Sequence, residues 1–359
     1  MDDNPALARQ MVDKPSTTLR EDDPKLAHEI VDKLIAGLPD GDTSLRPVHA
    51  FGIGATGFFE ASDVARDFCS ARHFQGDRIP VTVRFSNGSG SATKRDGWSD
   101  VRGMATRFHL PDGAATDLIA MTLPEFFTPK ASDFLQFSID VTPVPVARQS
   151  FWQKLKDMLQ LLRPLPDPYP GQKVSPVPTA IGFADKNDYA KLAVLQGATL
   201  GAPVSYARAS YHAVHTFIVT APDGARRWVR FTWQPVDGVM TTDPDDPPVD
   251  DYLAEELRKR VLYDPPRFLL MMQIGEAGDD LNDPSRPWPP RRPRVIMGAL
   301  TIDKVPDDQI EFCERLAFNP MRLAPGIKAS GDPVLRARKE AYEYSRKLRG
   351  GAACPFSGD

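Results

Sequence analysis

Apolar residues recur every three or four positions in four segments of the chain, and this spacing predicts amphipathic helices. The first helix begins at Asp23, a favourable N-cap residue, and at Pro24, which suits the first helical position. Gly37 marks its end. The other three predicted helices cover residues 151–162, 251–262 and 333–348.

Between these helices, stretches of β-branched and aromatic residues bounded by turn residues predict strands. In residues 46–60 glycine alternates with bulky residues, which predicts a bent strand that another group approaches closely. Hairpin-like turns, such as the one at Asp223 and Gly224, outnumber strand–helix–strand units, so the pattern predicts an antiparallel α+β architecture. The remaining predicted strands cover 81–86, 101–110, 116–121, the hairpin 215–235, 267–275 and 294–302.

Composition narrows the function classes. The chain has 359 residues, with 44 Lys and Arg against 48 Asp and Glu, and its net charge of −4 disfavours a general nucleic-acid or anionic-membrane surface. Its 35 prolines are about twice the typical share, which excludes a helical bundle and predicts long loops. We expect neither a membrane span nor a secretory signal, since no apolar run has the required length or flanking residues.

The cysteine pattern bears on the redox environment. Cys69, Cys313 and Cys354 follow neither the spacing of a metal site nor that of a disulfide framework. We therefore predict a reducing, cytoplasmic location.

The C-terminal helix carries the first candidate chemistry. Arg338 and Tyr342 stand four residues apart and therefore share one helix face, which Arg349 continues. An arginine beside a buried tyrosine favours the phenolate, and a phenolate is a good axial ligand for ferric haem. Taken alone, however, this spacing is typical of a solvated helix face with one tyrosine against the core, and a single His49 is typical of a structural histidine.

Four segments in one order resemble the haem catalase family. RPVHAFGIGATGFFE resembles the family's distal-histidine segment, and the stretch from VRFSNGSGS to RFHLPDG resembles the strand with the distal serine. TDLIAMTLPEFF resembles the segment with the distal asparagine, and LAFNPMRLAPGI with DPVLRARKEAY resembles the approach to the proximal helix. The resemblance covers roughly residues 41–350 and implies a catalase-like antiparallel β-barrel of about eight strands, with surrounding helices and long Pro-rich connections.

On the distal side, the side of the catalytic base, the resemblance implies that His49 is that base and that Ser86 hydrogen-bonds it. Val48 matches the valine that narrows the access channel. Met121 stands where the family has an asparagine, so a hydrogen-bond donor for peroxide is missing. The family's phenylalanines beside the haem correspond to Phe126, Phe127 and Phe134.

On the proximal side, the side of the iron ligand, Tyr342 matches the axial ligand and Arg338 the partner that stabilises its phenolate. Asp332 and His215 match residues that extend this network. The arginines that the resemblance directs toward the haem propionates, where bidentate pairing suits a carboxylate, are Arg46, Arg84 and Arg349.

Two departures from the family point to a particular activity. Met121 removes a contact that helps to hold a second hydrogen peroxide, and the chain is short, like those of the small catalase-related peroxidases. We therefore expect a haem b peroxidase that reduces hydrogen peroxide or organic hydroperoxides with a small organic electron donor, with weak catalase activity at most. A homodimer is the expected assembly.

Two alternatives stay open from the sequence. A fatty-acid hydroperoxide isomerase of the allene oxide synthase type shares the tyrosine-ligated scaffold, but such enzymes often replace the valine that is retained here as Val48. A non-catalytic haem-binding protein would need no distal base, and His49 argues against it. The expected domain organisation is an N-terminal segment with one helix (1–40), a haem-binding core (41–350) and a flexible tail (351–359).

Overall fold

A computed structural model describes residues 20–38, 41–88, 96–141, 179–243, 248, 251–314 and 316–350. The strands are β1 Gly52–Ala61, β2 Arg78–Asn87, β3 Arg102–His109, β4 Ala115–Met121, β5 Tyr211–Thr220, β6 Arg226–Pro235, β7 Arg267–Ile274, β8 Arg294–Lys304 and β9 Ile327–Ala329. The helices are α1 Pro24–Ile35, α2 Ala65–Phe68, α3 Ala131–Val141, α4 Thr179–Lys186, α5 Lys191–Thr199, α6 Leu253–Tyr263 and α7 Pro333–Leu348.

Eight of these strands form a closed antiparallel barrel. They follow one another in the order β4-β3-β2-β1-β8-β7-β6-β5, and pairing of Met121 on β4 with His212 on β5 closes the ring. Closure removes the exposed edges that an open sheet would leave. The short β9 pairs with β5 at Phe217–Val219.

Strand alternation separates an apolar interior from a polar outer face. On β2, Val83 and Phe85 point into the barrel core, whereas Arg84 and Ser86 point outward. The interior is filled by large fully buried rings, including Trp233 and Tyr211, which fits a barrel of this size packed by its own side chains. Chemistry therefore has to lie on the outside of the barrel.

Helices α1, α3 and α7 cover one another outside the barrel. Leu26 and Ile30 of α1 pack with Ala131 and Phe134 of α3 and with Ala337 of α7. Helix α1 starts as predicted, because Asp23 accepts a hydrogen bond from the Lys25 amide and Pro24 occupies the first turn. None of the helices among the described residues is long and apolar enough to cross a membrane.

The antiparallel α+β class and the barrel are confirmed, and so are the predicted helices near 24–36, 251–262 and 333–348. The single bent strand over 46–60 is wrong at its start, because β1 begins only at Gly52. Residues 46–51 form an irregular segment in which His49 has a φ of 56°, a backbone conformation that no strand accommodates. The predicted helix at 151–162 lies outside the described residues.

Candidate functional site

One row of residues on the outer barrel face forms the floor of the candidate site. Gly52, Ser86, Gly103 and Met121 are register partners on β1, β2, β3 and β4. Two of these four residues lack a side chain, so the row is shallow. Side chains from the irregular segment before β1 can therefore lie directly over the sheet.

His49 lies over this row. The Nδ1 atom of its ring is 3.0 Å from Ser86 Oγ, and its amide donates to the Gly88 carbonyl at 3.1 Å. Burial lowers the pKa of His49 to about 4; Arg84 and Arg338 lower it further, while Asp100 acts in the opposite direction. The ring is therefore neutral at neutral pH and can accept a proton.

Gly103 is needed for this approach. A Cβ atom built at this position would be 2.8 Å from His49 Nδ1 and Cε1 and 2.9 Å from Ser86 Oγ. Side chains do not come so close, so any other residue at position 103 would push the imidazole away. The sequence contains this glycine in a predicted strand, but its partner is more than fifty residues away along the chain.

The residues predicted for the proximal side form a continuous hydrogen-bonded chain. Asp332 Oδ2 is 2.6 Å from His215 Nδ1, His215 Nε2 is 2.8 Å from Arg338 Nη1, and Arg338 Nη2 donates to the Tyr342 hydroxyl at 2.7 Å. Because Arg338 can only donate, His215 Nε2 must accept, which places the ring proton on Nδ1 toward Asp332. Burial also lowers the pKa of His215, so its ring is neutral.

Asp332 links this chain to the start of α7. Its Oδ1 accepts from the amides of Val334 and Leu335 at 2.9 and 3.1 Å, and Pro333 occupies the first helical position. One carboxylate thus caps the helix and orients His215. Since Arg338 and Tyr342 are one turn apart on the same helix, the cap also fixes the direction of the phenol.

Three predicted arginines converge at one point. Arg46 pairs with Glu314 Oε2, and Arg84 Nε donates to Glu314 Oε1 at 3.1 Å. Arg349 Nη1 donates to the Glu314 carbonyl at 3.1 Å. Arg84 also donates to the His49 carbonyl at 2.9 Å, which connects the cationic cluster to the distal segment.

The predicted phenylalanines lie together beside the network. The Phe126 ring is 5.1 Å from Phe134 and 6.2 Å from His215 between ring centroids. Phe127 meets Phe126 edge-on at 5.7 Å and also stacks with Phe137. Val48 and Met121 are partly exposed, Val48 by 38%. The structure thus brings His49, Ser86 and Met121 to the distal row, the three arginines to one cluster, and Asp332, His215, Arg338 and Tyr342 to the proximal chain.

These residues suit a flat group with two carboxylates. Gly103 lets His49 approach the sheet, and the arginine cluster offers positive charge for carboxylates beside it. A phenol held by an arginine would hold the haem iron, and a neutral imidazole would serve as an acid–base group beside it. The donor set therefore fits a haem.

Comparison with known proteins identifies the class. The family model described as catalase matches residues 38–159 and 183–354, well over half of the chain. The chain belongs to the catalase family. It is accordingly an oxidoreductase that acts on peroxide, and its family implies a haem cofactor.

Particular relatives narrow the comparison. A catalase-related peroxidase of Mycolicibacterium paratuberculosis is 32% identical over 322 residues, covering 88% of this chain and 93% of that protein. A catalase-related peroxidase of Synechococcus elongatus is 27% identical, covering 84% and 83%. Catalase-2 of Bacillus subtilis is 28% identical, but the match spans 87% of this chain and only 46% of that protein.

Solved structures agree on the fold. A bacterial catalase superposes with a TM-score of 0.69 at 22% identity, covering 86% of this chain and 58% of that chain. Catalase A from Saccharomyces cerevisiae superposes with a TM-score of 0.68 at 23% identity, covering 86% and 61%. The chain thus spans about three fifths of the length of each of these catalase chains.

Sequence reasoning missed three residues of the site region. Gly103 and Glu314 contact residues that are distant along the chain, so neither has a local signal. Glu125, directly before Phe126, is fully buried, and neither carboxylate oxygen has a hydrogen-bond partner among the described residues. The sequence does mark Glu125 as unusual, because this glutamate lies within an otherwise apolar run, Leu-Pro-Glu-Phe-Phe.

Proposed function

We propose that the protein is a haem b peroxidase that reduces hydrogen peroxide or organic hydroperoxides at the expense of a small organic electron donor. The observation that carries this proposal is that one site combines a phenol held by Arg338 with a neutral His49. A protein that only bound haem would need no neutral base beside a hydroxyl partner.

Tyr342 is the residue that would hold the haem iron. Arg338 donates to its hydroxyl oxygen and stabilises the negative charge of a phenolate. His215 and Asp332 hold the guanidinium in place from behind. A bound haem supplies the redox-active iron at which the peroxide O–O bond is cleaved.

His49 is the proposed proton carrier. In the tautomer that carries the ring proton on Nδ1 and donates it to Ser86, Nε2 has a lone pair that can accept the proton of one peroxide oxygen. His49 then returns this proton to the other oxygen, so that water or an alcohol leaves. The low pKa of the ring keeps it available as a base over the whole physiological range.

Met121 supports peroxidase rather than catalase turnover. It sits in the same row as Ser86 and Gly103, beside the histidine, and its thioether cannot donate a hydrogen bond. A second peroxide is held less well without such a donor. Two one-electron reductions by an organic donor then become the preferred way to complete the cycle.

An optical spectrum of the purified protein, followed by peroxide addition with and without a phenolic donor, tests the proposal. We expect a Soret band, a spectral change on peroxide addition, and donor oxidation that exceeds oxygen release. Rapid oxygen release with no donor oxidation would identify a catalase instead. An epoxide or ketol formed from a lipid hydroperoxide would identify an isomerase.

Further features remain proposals from the sequence. We propose the division into an N-terminal segment (1–40), a haem-binding core (41–350) and a tail (351–359), and a homodimeric assembly. The cytoplasmic location is supported by Cys69 and Cys313, which are buried free thiols.

A further inference from the structure

Glu314 is the residue that all three arginines of the cluster contact. Its two carboxylate oxygens accept from Arg46 and Arg84, and its carbonyl accepts from Arg46 at 3.2 Å and from Arg349 at 3.1 Å. The carbonyls of Cys313 and, two residues after Glu314, of Leu316 also accept from Arg46, at 3.2 and 3.0 Å. This segment therefore binds the guanidinium groups through one carboxylate and several backbone carbonyls.

The position of this turn is fixed against β1. It is a π-helical turn, Ile310–Glu314, a conformation often found at functional sites. The Gln309 side chain accepts from the Gly54 amide at 2.6 Å and donates to the Gly54 carbonyl at 3.0 Å. Cys313 packs closely against Gly54, since a Cβ atom added to Gly54 would lie only 2.4 Å from the Cβ atom of Cys313. The Glu314 carboxylate is therefore held in one place.

The Glu314 carboxylate lies among three positively charged arginines. Three guanidinium groups lie close together, and Arg84 is almost completely buried. Burial and the neighbouring Arg84 lower the pKa of Arg46 to about 10, while Glu314 acts to raise it. Burial lowers the pKa of Arg349, and Glu314 again opposes the change. The carboxylate therefore offsets the mutual repulsion of the three cations, which backbone carbonyls alone would not neutralise.

The net charge of the arginine cluster is opposite in sign to that of the haem propionates. Three guanidinium groups against one carboxylate leave the cluster positively charged, and haem carries two propionate carboxylates. We propose that Glu314 is a positioning residue that gathers Arg46, Arg84 and Arg349 into a positively charged receptor for the two haem propionates. This inference rests on the proposed haem site.

Haem loss from the holoprotein tests the inference, measured by transfer to excess apomyoglobin. We expect Glu314→Gln to release haem about 10-fold or more faster than the wild type, because hydrogen bonds to charged groups are lost. Glu256→Gln is the matched control, since Glu256 also pairs with an arginine, Arg260 at 2.7 Å, but on the remote helix α6. This control should release haem at the wild-type rate.

A second cofactor separates charge recognition from general loosening of the fold. In protein reconstituted with haem dimethyl ester, which has no propionate charge, Glu314→Gln and wild type should release the cofactor at the same rate. If circular dichroism finds Glu314→Gln unfolded, Glu314→Asp is measured in the same way. It keeps the charge on a shorter side chain and should release haem, but not the ester, faster than wild type.

The outcomes are distinguishable. Unchanged or slower haem release in the position-314 variants overturns the role of Glu314, because the carboxylate would then be neutral or would compete with the propionates. Equal acceleration for haem and its ester overturns it as well, since the effect would be structural. A wild-type protein that takes up no haem removes the proposed haem site itself.

Discussion

At the scale of single residues, the site depends on one unusual backbone conformation. His49 is in the left-handed region, which is uncommon outside glycine and costs on the order of 1 kcal/mol. Hydrogen bonds from its amide to Gly88 and from Arg84 to its carbonyl maintain this conformation. This conformation directs the imidazole across the barrel face to Ser86. A residue in a regular strand would instead project away from the sheet.

The low pKa of His49 predicts the pH profile of the peroxide reaction. The rate of the peroxide-induced spectral change should be constant above about pH 5 and fall as the pH drops through about 4, because protonated imidazole cannot accept a proton. Stopped-flow mixing across this range measures it. His49→Gln should be slower by about 10²- to 10⁴-fold, without this titration. A decline that begins near pH 6.5, the ordinary histidine value, would contradict the burial argument.

Replacing Met121 tests whether the missing hydrogen-bond donor limits oxygen release from hydrogen peroxide. Met121→Asn introduces a hydrogen-bond donor into the distal row, and we expect oxygen release from hydrogen peroxide to rise by about 10- to 100-fold. Met121→Leu is the control, because it preserves an apolar side chain without a donor. An oxygen electrode measures both variants. Equal rates in the two variants would show that the missing donor does not limit oxygen release.

At the scale of elements, α7 does most to build the proximal side. A single carboxylate caps the helix and anchors the network, and the helical repeat brings Arg338 and Tyr342 onto one face. Helix α1, which lies before the residues matched by the family model, packs on α7 and α3. This packing places α1 behind Phe134, whose ring contacts Phe126.

A truncation in α1 tests whether this packing supports the fold. Leu26 is 1% exposed, so Leu26→Ala should lower the free energy of unfolding by about 2–5 kcal/mol through the lost burial and the cavity. Urea denaturation followed by circular dichroism measures the change. Leu262→Ala, at a position 73% exposed, should change it by no more than about 0.5 kcal/mol. Similar values for both variants would mean that α1 contributes little to the core.

At the scale of the whole molecule, one buried acid makes stability depend on pH. Burial raises the pKa of Glu125 from its usual 4.5 to about 7. The folded state therefore binds this proton more tightly than the unfolded state does. The stabilisation is complete below about pH 4 and is lost as the pH rises through about 7.

Glu125→Gln should remove this dependence. Between about pH 4.5 and 8 the wild type should lose on the order of 3 kcal/mol relative to the variant, measured as the difference in unfolding free energy at each pH. Glu276→Gln is the control, because Glu276 is half exposed and pairs with Arg292 at the surface. Parallel pH profiles for wild type and Glu125→Gln would mean that the buried carboxyl finds a partner or reaches solvent.

Most of the elements and part of the site can be predicted from local sequence patterns. Side-chain alternation and helical spacing depend on a few neighbouring residues, so most strands, helices α1, α6 and α7, and the Arg338–Tyr342 pair could be predicted. The resemblance to catalases added His49, Ser86 and the arginines. Only the tertiary structure decided that β1 starts at Gly52 and that Gly103 makes room for His49.

The tertiary structure alone also brought Arg46 to Glu314, which is 268 residues away along the chain. Such contacts depend on strand register and on how long connections return the chain to the barrel surface. Neither is encoded in any short stretch of sequence, because each results from closing the whole barrel at once.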